Sequence, residues 1–176
     1  APGFVTEAAD IAGVYAAIAG SGQAVGKNAE AQALTDGMKS AFKAVKARVP
    51  AGEAPKTVYF EVSPLEYGLW TAGKGTFMNE LAEMLGLTNI FADVDGWAEI
   101  SQEQVIARNP DLIVTVTMYY GDGPKPDEEI AARAGWADIS AVKNGKILVA
   151  DSNAMTRPGP RLTEAAQALC DFAYGG

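Results

Sequence analysis

The chain has 176 residues, 48% of apolar type and 20% charged, a length and balance that suit one domain with a buried core and exclude a disordered or collagen-like chain. Lysine and arginine number 14 against 22 aspartates and glutamates, a formal charge of −8, which disfavours a basic face for nucleic acid or an anionic membrane. There is no histidine, so the commonest general base, the commonest zinc and haem ligand and every Ser-His-Asp or Cys-His constellation are missing together. Cys170 is the single cysteine; no disulfide can close within the chain, and the apolar setting Ala168-Leu169-Cys170 predicts a small buried side chain. The longest mostly apolar run, Ile11 to Gly20, falls short of the ~20 residues of a membrane helix. Glu7 and Asp10 precede it where an export signal would be basic.

Residues 6–20 read as a first helix, with Ile11, Val14 or Tyr15, and Ile18 at helical spacing, Thr6 as N-cap, and Gly20, Gly22 and Gly26 as breakers. A longer helix is expected over 28–49, where Leu34, Met38, Phe42, Val45 and Val49 recur along one face. Pro50, Gly52 and Pro55 end it and open a linker. From there strands and helices alternate. Strands are expected at 57–62, 89–91, 111–117 and 146–150, the last two read as buried. Helices are expected at 76–85, 101–108, 127–133 and 160–173, with a Gly/Pro-rich loop at 120–126. Ser101 and Gln104 have capping-box spacing, flanked by Ile100 and Val105 as a hydrophobic staple. The order predicts an α/β fold, a Rossmann-like three-layer lobe with a mostly parallel sheet over 57–176, preceded by a helical segment over 1–56.

The segment Gly68-Leu69-Trp70-Thr71-Ala72-Gly73-Lys74 matches the glycine and lysine spacing of a phosphate-binding loop. It departs at the next position, where Gly75 stands in place of the magnesium-binding Ser or Thr. The competing reading is a tight turn at Gly73 and Gly75 with Thr76 capping the next helix. Asp93 with Asp95, and the run Asp127, Glu128 and Glu129, read as structural or solvated acids rather than acid/base partners. Trp70, Trp97, Tyr119 and Tyr120 are expected in loops, where open α/β sheets bind ligands beyond the carboxyl ends of their strands. Arg157 and Arg161, spaced by Pro158-Gly159-Pro160 ahead of the last helix, suit an anionic ligand, or one of them a salt bridge.

Several of these segments carry a resemblance. Arg157-Pro158-Gly159-Pro160-Arg161, Trp136 with Ala141-Val142-Lys143-Asn144-Gly145-Lys146, and Ser101-Gln102-Glu103-Gln104-Val105 leading to Asn109-Pro110-Asp111-Leu112-Ile113-Val114 stand in a familiar order. Trp70-Thr71-Ala72-Gly73 with Thr76-Phe77, and Asn89-Ile90-Phe91, join them. Together they resemble the carboxyl-terminal lobe of substrate-binding proteins of ABC importers for metal chelates: ferric siderophores, haem and cobalamin. Residues 57–174 look like the lobe, and 28–49 like the rigid helix joining two lobes.

The resemblance implies a non-enzymatic, extracytoplasmic solute receptor without a resident cofactor. It implies a small-molecule metal chelate and the permease subunits as partners, with no nucleic acid and no membrane insertion by this segment. It places Glu103 as an acidic knob facing permease arginines, Trp97 at a position that faces ligand in cobalamin-binding relatives, and Trp70, Tyr119, Tyr120 and Arg157 on cleft-facing loops. A ferric siderophore is the first expectation and cobalamin the second; haem is disfavoured because only Tyr or Met remain as axial ligands. The amino-terminal lobe of the family is missing, so the sequence reads as a fragment expected to fold but to hold chelate weakly or not at all. A P-loop enzyme, which would bind ATP with magnesium through Lys74, is the alternative from another class.

Overall fold

The computed structural model describes residues 8–119, 121 and 123–175. Thr6 and Tyr120 lie outside the described residues. Two helices open the chain, α1 (Ile11–Ala24) and α2 (Asn28–Lys46). Asp10 rather than Thr6 caps α1, its carboxylate accepting from the Gly13 N–H at 2.6 Å. The helix runs through Gly20 and Gly22 instead of breaking there. A Cβ on Gly22 would lie 2.4 Å from the Ala31 Cβ, so the glycine is spent on close approach to α2 rather than on termination.

The rest is strand β1 (Thr57–Ser63), a 3-10 turn (Leu65–Tyr67), β2 (Leu69–Ala72), α3 (Phe77–Met84), β3 (Thr88–Asn89), β4 (Trp97–Ile100), α4 (Gln102–Arg108), β5 (Leu112–Thr115), α5 (Pro126–Ala132), α6 (Ser140–Lys143), β6 (Ile147–Val149), α7 (Ser152–Thr156) and α8 (Leu162–Tyr174). The sheet order is β4-β2-β1-β5-β6. Strand β1 runs parallel to β3 and β5, and β5 parallel to β6. β2 is antiparallel to both β1 and β4, so the sheet is mixed: a parallel body with an antiparallel edge. β3 pairs with Thr57 and Val58 and β2 with Glu61 and Ser63, so the two share the edge of β1 away from β5.

Alternation along β1 builds two cores. Val58 and Phe60 join Met38, Phe42, Met78, Leu81, Met155 and Leu169 on one face, where the helical segment, α3, α7 and α8 pack. Tyr59 faces the opposite way among Phe91, Val105, Ile113, Ile130 and Trp136. That gives the three layers expected of the sequence. Cys170 is buried in the first core, with Sγ 3.8 Å from the Val45 carbonyl oxygen, and burial pushes its thiol pKa up.

Three expectations are corrected. Trp70 lies within β2 and Trp97 opens β4, rather than both lying in loops. Strand 146–150 is shorter and half-exposed, because β6 is the last strand of the sheet and has one neighbour. Finally, α7 stands between Asp151 and Arg157, where no element was expected.

Candidate functional site

The chain leaves β1, returns on one side of it through β3, then crosses to the other side to form β5. At such a switch point the loops beyond the carboxyl ends of the two strands diverge and leave a crevice. A cavity of about 870 Å³ lies there. Its wall takes Val62 and Pro64 to Tyr67 from the end of β1 and the 3-10 turn, Val116 to Tyr119 after β5, Ser152 and Thr156 from α7, and Trp97. Trp97 and Tyr119 are thus brought together as expected ligand-facing residues. Trp70, Glu103 and Arg157 do not line this cavity.

Trp97 is positioned by sheet register. Trp70 pairs with Glu99 and Ala72 with Trp97, so both tryptophans project from one face as diagonal neighbours, within reach of aromatic side chains. They are 39% and 44% exposed. An edge-on contact with Phe77, centroids 6.1 Å apart, steadies Trp97. The Tyr119 hydroxyl donates to the Gly123 carbonyl at 3.4 Å.

Behind the cavity stands an ion cluster for which sequence reasoning gave no warning. Arg133, with 2% of its side chain exposed, forks onto Glu61, 1% exposed, at 2.6 and 3.0 Å. The same guanidinium holds Glu129 at 2.5 Å and lies over the Trp136 ring, 4.6 Å from its centroid. Burial raises the Glu61 carboxyl above the usual range, and Arg133 opposes that shift. Burial alone would lower the Arg133 pKa, but its hydrogen bonds to Glu61 and Glu129 raise it overall. Glu129 also lines the cavity. The cluster therefore ties β1 to α5 and to the segment that follows it, Arg133 to Trp136. The missed signal was Glu61 itself: an acid within the apolar strand 57–62 needs a cation once that strand is buried.

The phosphate-loop spacing has another use. Leu69–Ala72 is strand, not loop; the Gly73 N–H donates to the Gly96 carbonyl and the Lys74 N–H to that of Val94, each at 2.7 Å. Thr76 caps α3 by accepting from the Asn79 N–H, so the turn-and-cap reading holds. Asn89 locks this corner: its amide donates to the Ala72 carbonyl at 2.7 Å and to Asn79 Oδ1 at 3.1 Å, while its oxygen accepts from the Phe91 N–H at 3.0 Å.

Glu103 is exposed on the first turn of α4. Its own backbone N–H and the Ser101 hydroxyl lower the carboxyl pKa. The predicted capping box is present, with the Ser101 N–H donating to Gln104 Oε1 at 2.8 Å and the Gln104 N–H to Ser101 Oγ at 3.3 Å. Arg108 anchors the far end, donating to Asp93 at 2.5 and 2.9 Å and to the Ile90 carbonyl, with its guanidinium over the Phe91 ring. Ser101→Ala should cost about 1 kcal/mol in urea denaturation and fray the turn that carries Glu103, visible as faster amide exchange there.

Of the two arginines before the last helix, Arg161 is engaged by Asp151 and Glu164, each at 2.9 Å. Arg157 is exposed, and no described side chain pairs with it. Among the described residues, no group of three or more Cys, Asp or Glu side chains is placed to hold a metal ion, and no helix is long and apolar enough to cross a membrane.

The comparisons with known proteins agree with this architecture. A family model described as periplasmic binding protein matches residues 4–154, and the chain belongs to that family. It is 36% identical over 172 residues, 97% of this chain and 52% of the relative, to the uncharacterized ABC transporter substrate-binding lipoprotein YvrC of Bacillus subtilis (strain 168). It is 29% identical over 145 residues, 81% of this chain and 49% of the relative, to the vitamin B12-binding protein of Salmonella paratyphi A. Among solved structures, a possible iron-binding (periplasmic solute-binding) protein from Staphylococcus epidermidis ATCC 12228 superimposes with a TM-score of 0.85 and 34% identity, covering 98% of this chain and 66% of that one. The chain spans about half the length of the curated relatives it matches.

Proposed function

We propose that this chain is one lobe of the solute-binding component of an ABC importer, working outside the cytoplasm and taking up a metal chelate, with a ferric siderophore as first choice and cobalamin as second. The observation that carries the reading is the cavity at the β1–β5 switch point, where Trp97, Tyr67 and Tyr119 offer aromatic surface beside Val62, Leu65 and Val116. Its volume suits a ligand of drug size or larger. A chelate brings its metal already wrapped, so the wall has to supply stacking and apolar contact rather than metal ligands.

In this reading residues 57–176 form the ligand-binding lobe, and α2 is the connector to a second lobe that closes the other side of the cleft. Glu103, held on a helix fixed at both ends, is the permease-docking acid. Titration of ferric siderophores and cobalamin by tryptophan fluorescence quenching tests the site. Trp97→Ala should weaken binding roughly tenfold, and a two-lobed protein containing this chain should bind more tightly than the chain itself. Equal affinity for both would overturn the half-cleft argument. In that longer protein, Glu103→Ala should reduce uptake while leaving chelate affinity unchanged; a matched fall in affinity would remove the docking role.

A further inference from the structure

The charge on the cavity wall narrows the class of chelate, an inference that rests on the solute-binding reading. Among the described residues, two charged side chains line the cavity, Glu66 and Glu129, and both are acids. Glu66 is exposed on the 3-10 turn, and no described side chain pairs with it. Glu129 shares the Arg133 guanidinium with Glu61, so two carboxylates already divide that one cation, and Arg133 itself does not line the cavity. Lys125 and Arg157 each adjoin a lining residue in sequence, yet neither lines the cavity.

We infer that this wall selects neutral or cationic metal chelates, such as ferric trihydroxamates, and disfavours anionic ones such as tris-catecholates or dicarboxylate porphyrins. An anion seated here would lose water beside carboxylates and gain no cation from the wall. A cation meets Glu66 and aromatic faces whose negative π surface attracts it. A neutral chelate is held by apolar contact and by neutral hydroxyls such as Thr117 and Ser152. This reverses the expectation attached to Arg157, which favoured an anionic ligand.

Gallium(III) chelates, which are diamagnetic, allow the test on this chain by NMR even where affinity is weak. A cationic trihydroxamate, a neutral trihydroxamate and an anionic tris-catecholate are titrated at low and high salt, following the Trp97 indole and Tyr119 amide signals. The cationic and neutral chelates should saturate these shifts, and the tris-catecholate should need at least roughly fivefold more ligand. Preference for the cation should shrink with added salt. Glu66→Gln should weaken the cationic chelate roughly two- to fivefold and the neutral one less than twofold. An anionic chelate that binds as tightly as the cationic one, or whose binding is selectively lost in Arg157→Gln, overturns the charge inference and leaves solute binding standing. If no chelate of any charge moves the cleft signals, either in this chain or in a two-lobed protein that contains it, the solute-binding reading itself fails.

Discussion

Replacing Arg133 by methionine should destabilise the protein by about 3–5 kcal/mol, the usual cost of stranding a buried charge. Methionine preserves much of the packing over Trp136 but leaves the Glu61 carboxylate, 1% exposed, without its cation. Glu129 is 36% exposed and can turn to water, so Glu61 carries the loss. The double variant Arg133→Met with Glu61→Gln removes the stranded charge and should recover more than half of the stability. The loss should therefore be strongly non-additive when the two single variants and the double variant are compared by urea denaturation.

The same variant has a signed pH dependence. Burial already raises the Glu61 pKa in the intact protein, against the pull of Arg133. A raised folded-state pKa means that the folded chain holds this proton more tightly than the unfolded chain. The contribution of the group is thus greatest below its unfolded pKa and falls as pH rises through the folded one. Without Arg133 the opposing pull disappears and the window extends upward. Arg133→Met should consequently gain stability on acidification from about pH 7 to about pH 5. Asp93 and Asp151, held below the usual carboxylate range by Arg108 and Arg161, act with the opposite sign, and only at lower pH. A variant that loses under about 1 kcal/mol, or that weakens steadily through that range, would show that the cluster is not the tie between β1 and α5 described above.

How far the fold and the site were legible depended on whether their cause was local. The capping box at Ser101 and Gln104, the Thr76 cap and the Met38, Phe42 and Val45 face of α2 are each written within one or two helical turns and stand where the sequence placed them, although Leu34, expected on the same face, is exposed and Val49 lies past the end of the helix. β2 and β4 are four residues long and exist because they pair with each other across an intervening helix and strand. No periodicity within Leu69–Ala72 or Trp97–Ile100 announces that pairing, so both tryptophans looked like loop residues. The cavity was legible in part, since the switch-point rule needs only strand order, and Trp97 and Tyr119 reach it. Arg133 and Glu61, 72 positions apart in sequence, meet only through the packing of α5 on the sheet. The docking role proposed for Glu103 rests on the family resemblance; local chemistry alone leaves it as a helix-dipole partner.

The second large effect concerns the glycine that gave the phosphate-loop spacing its appeal. Gly73→Ala should cost about 2–4 kcal/mol, at the upper end of what overpacking costs, because the added Cβ would sit 2.1 Å from the Val94 carbonyl oxygen and 3.1 Å from that of Phe91. Both obstacles are backbone, so no side chain can swing aside. Relief requires moving the 91–96 segment away, which breaks the Gly73-to-Gly96 and Lys74-to-Val94 hydrogen bonds, each 2.7 Å, and displaces Trp97 next to Gly96. Stability and chelate binding should therefore fall together, with an altered near-ultraviolet dichroism signal as Trp97 leaves Phe77. Lys74→Ala supplies the contrast: this side chain is exposed, and its removal should change stability by no more than about 0.5 kcal/mol. A phosphate loop makes the opposite demand, since its lysine reaches the phosphates while its fold survives the loss. Loss of magnesium-ATP binding in Lys74→Ala, with Gly73→Ala as stable as the parent, would return this segment to nucleotide chemistry; the reverse pattern assigns it to holding the edge of the sheet on which Trp97 stands.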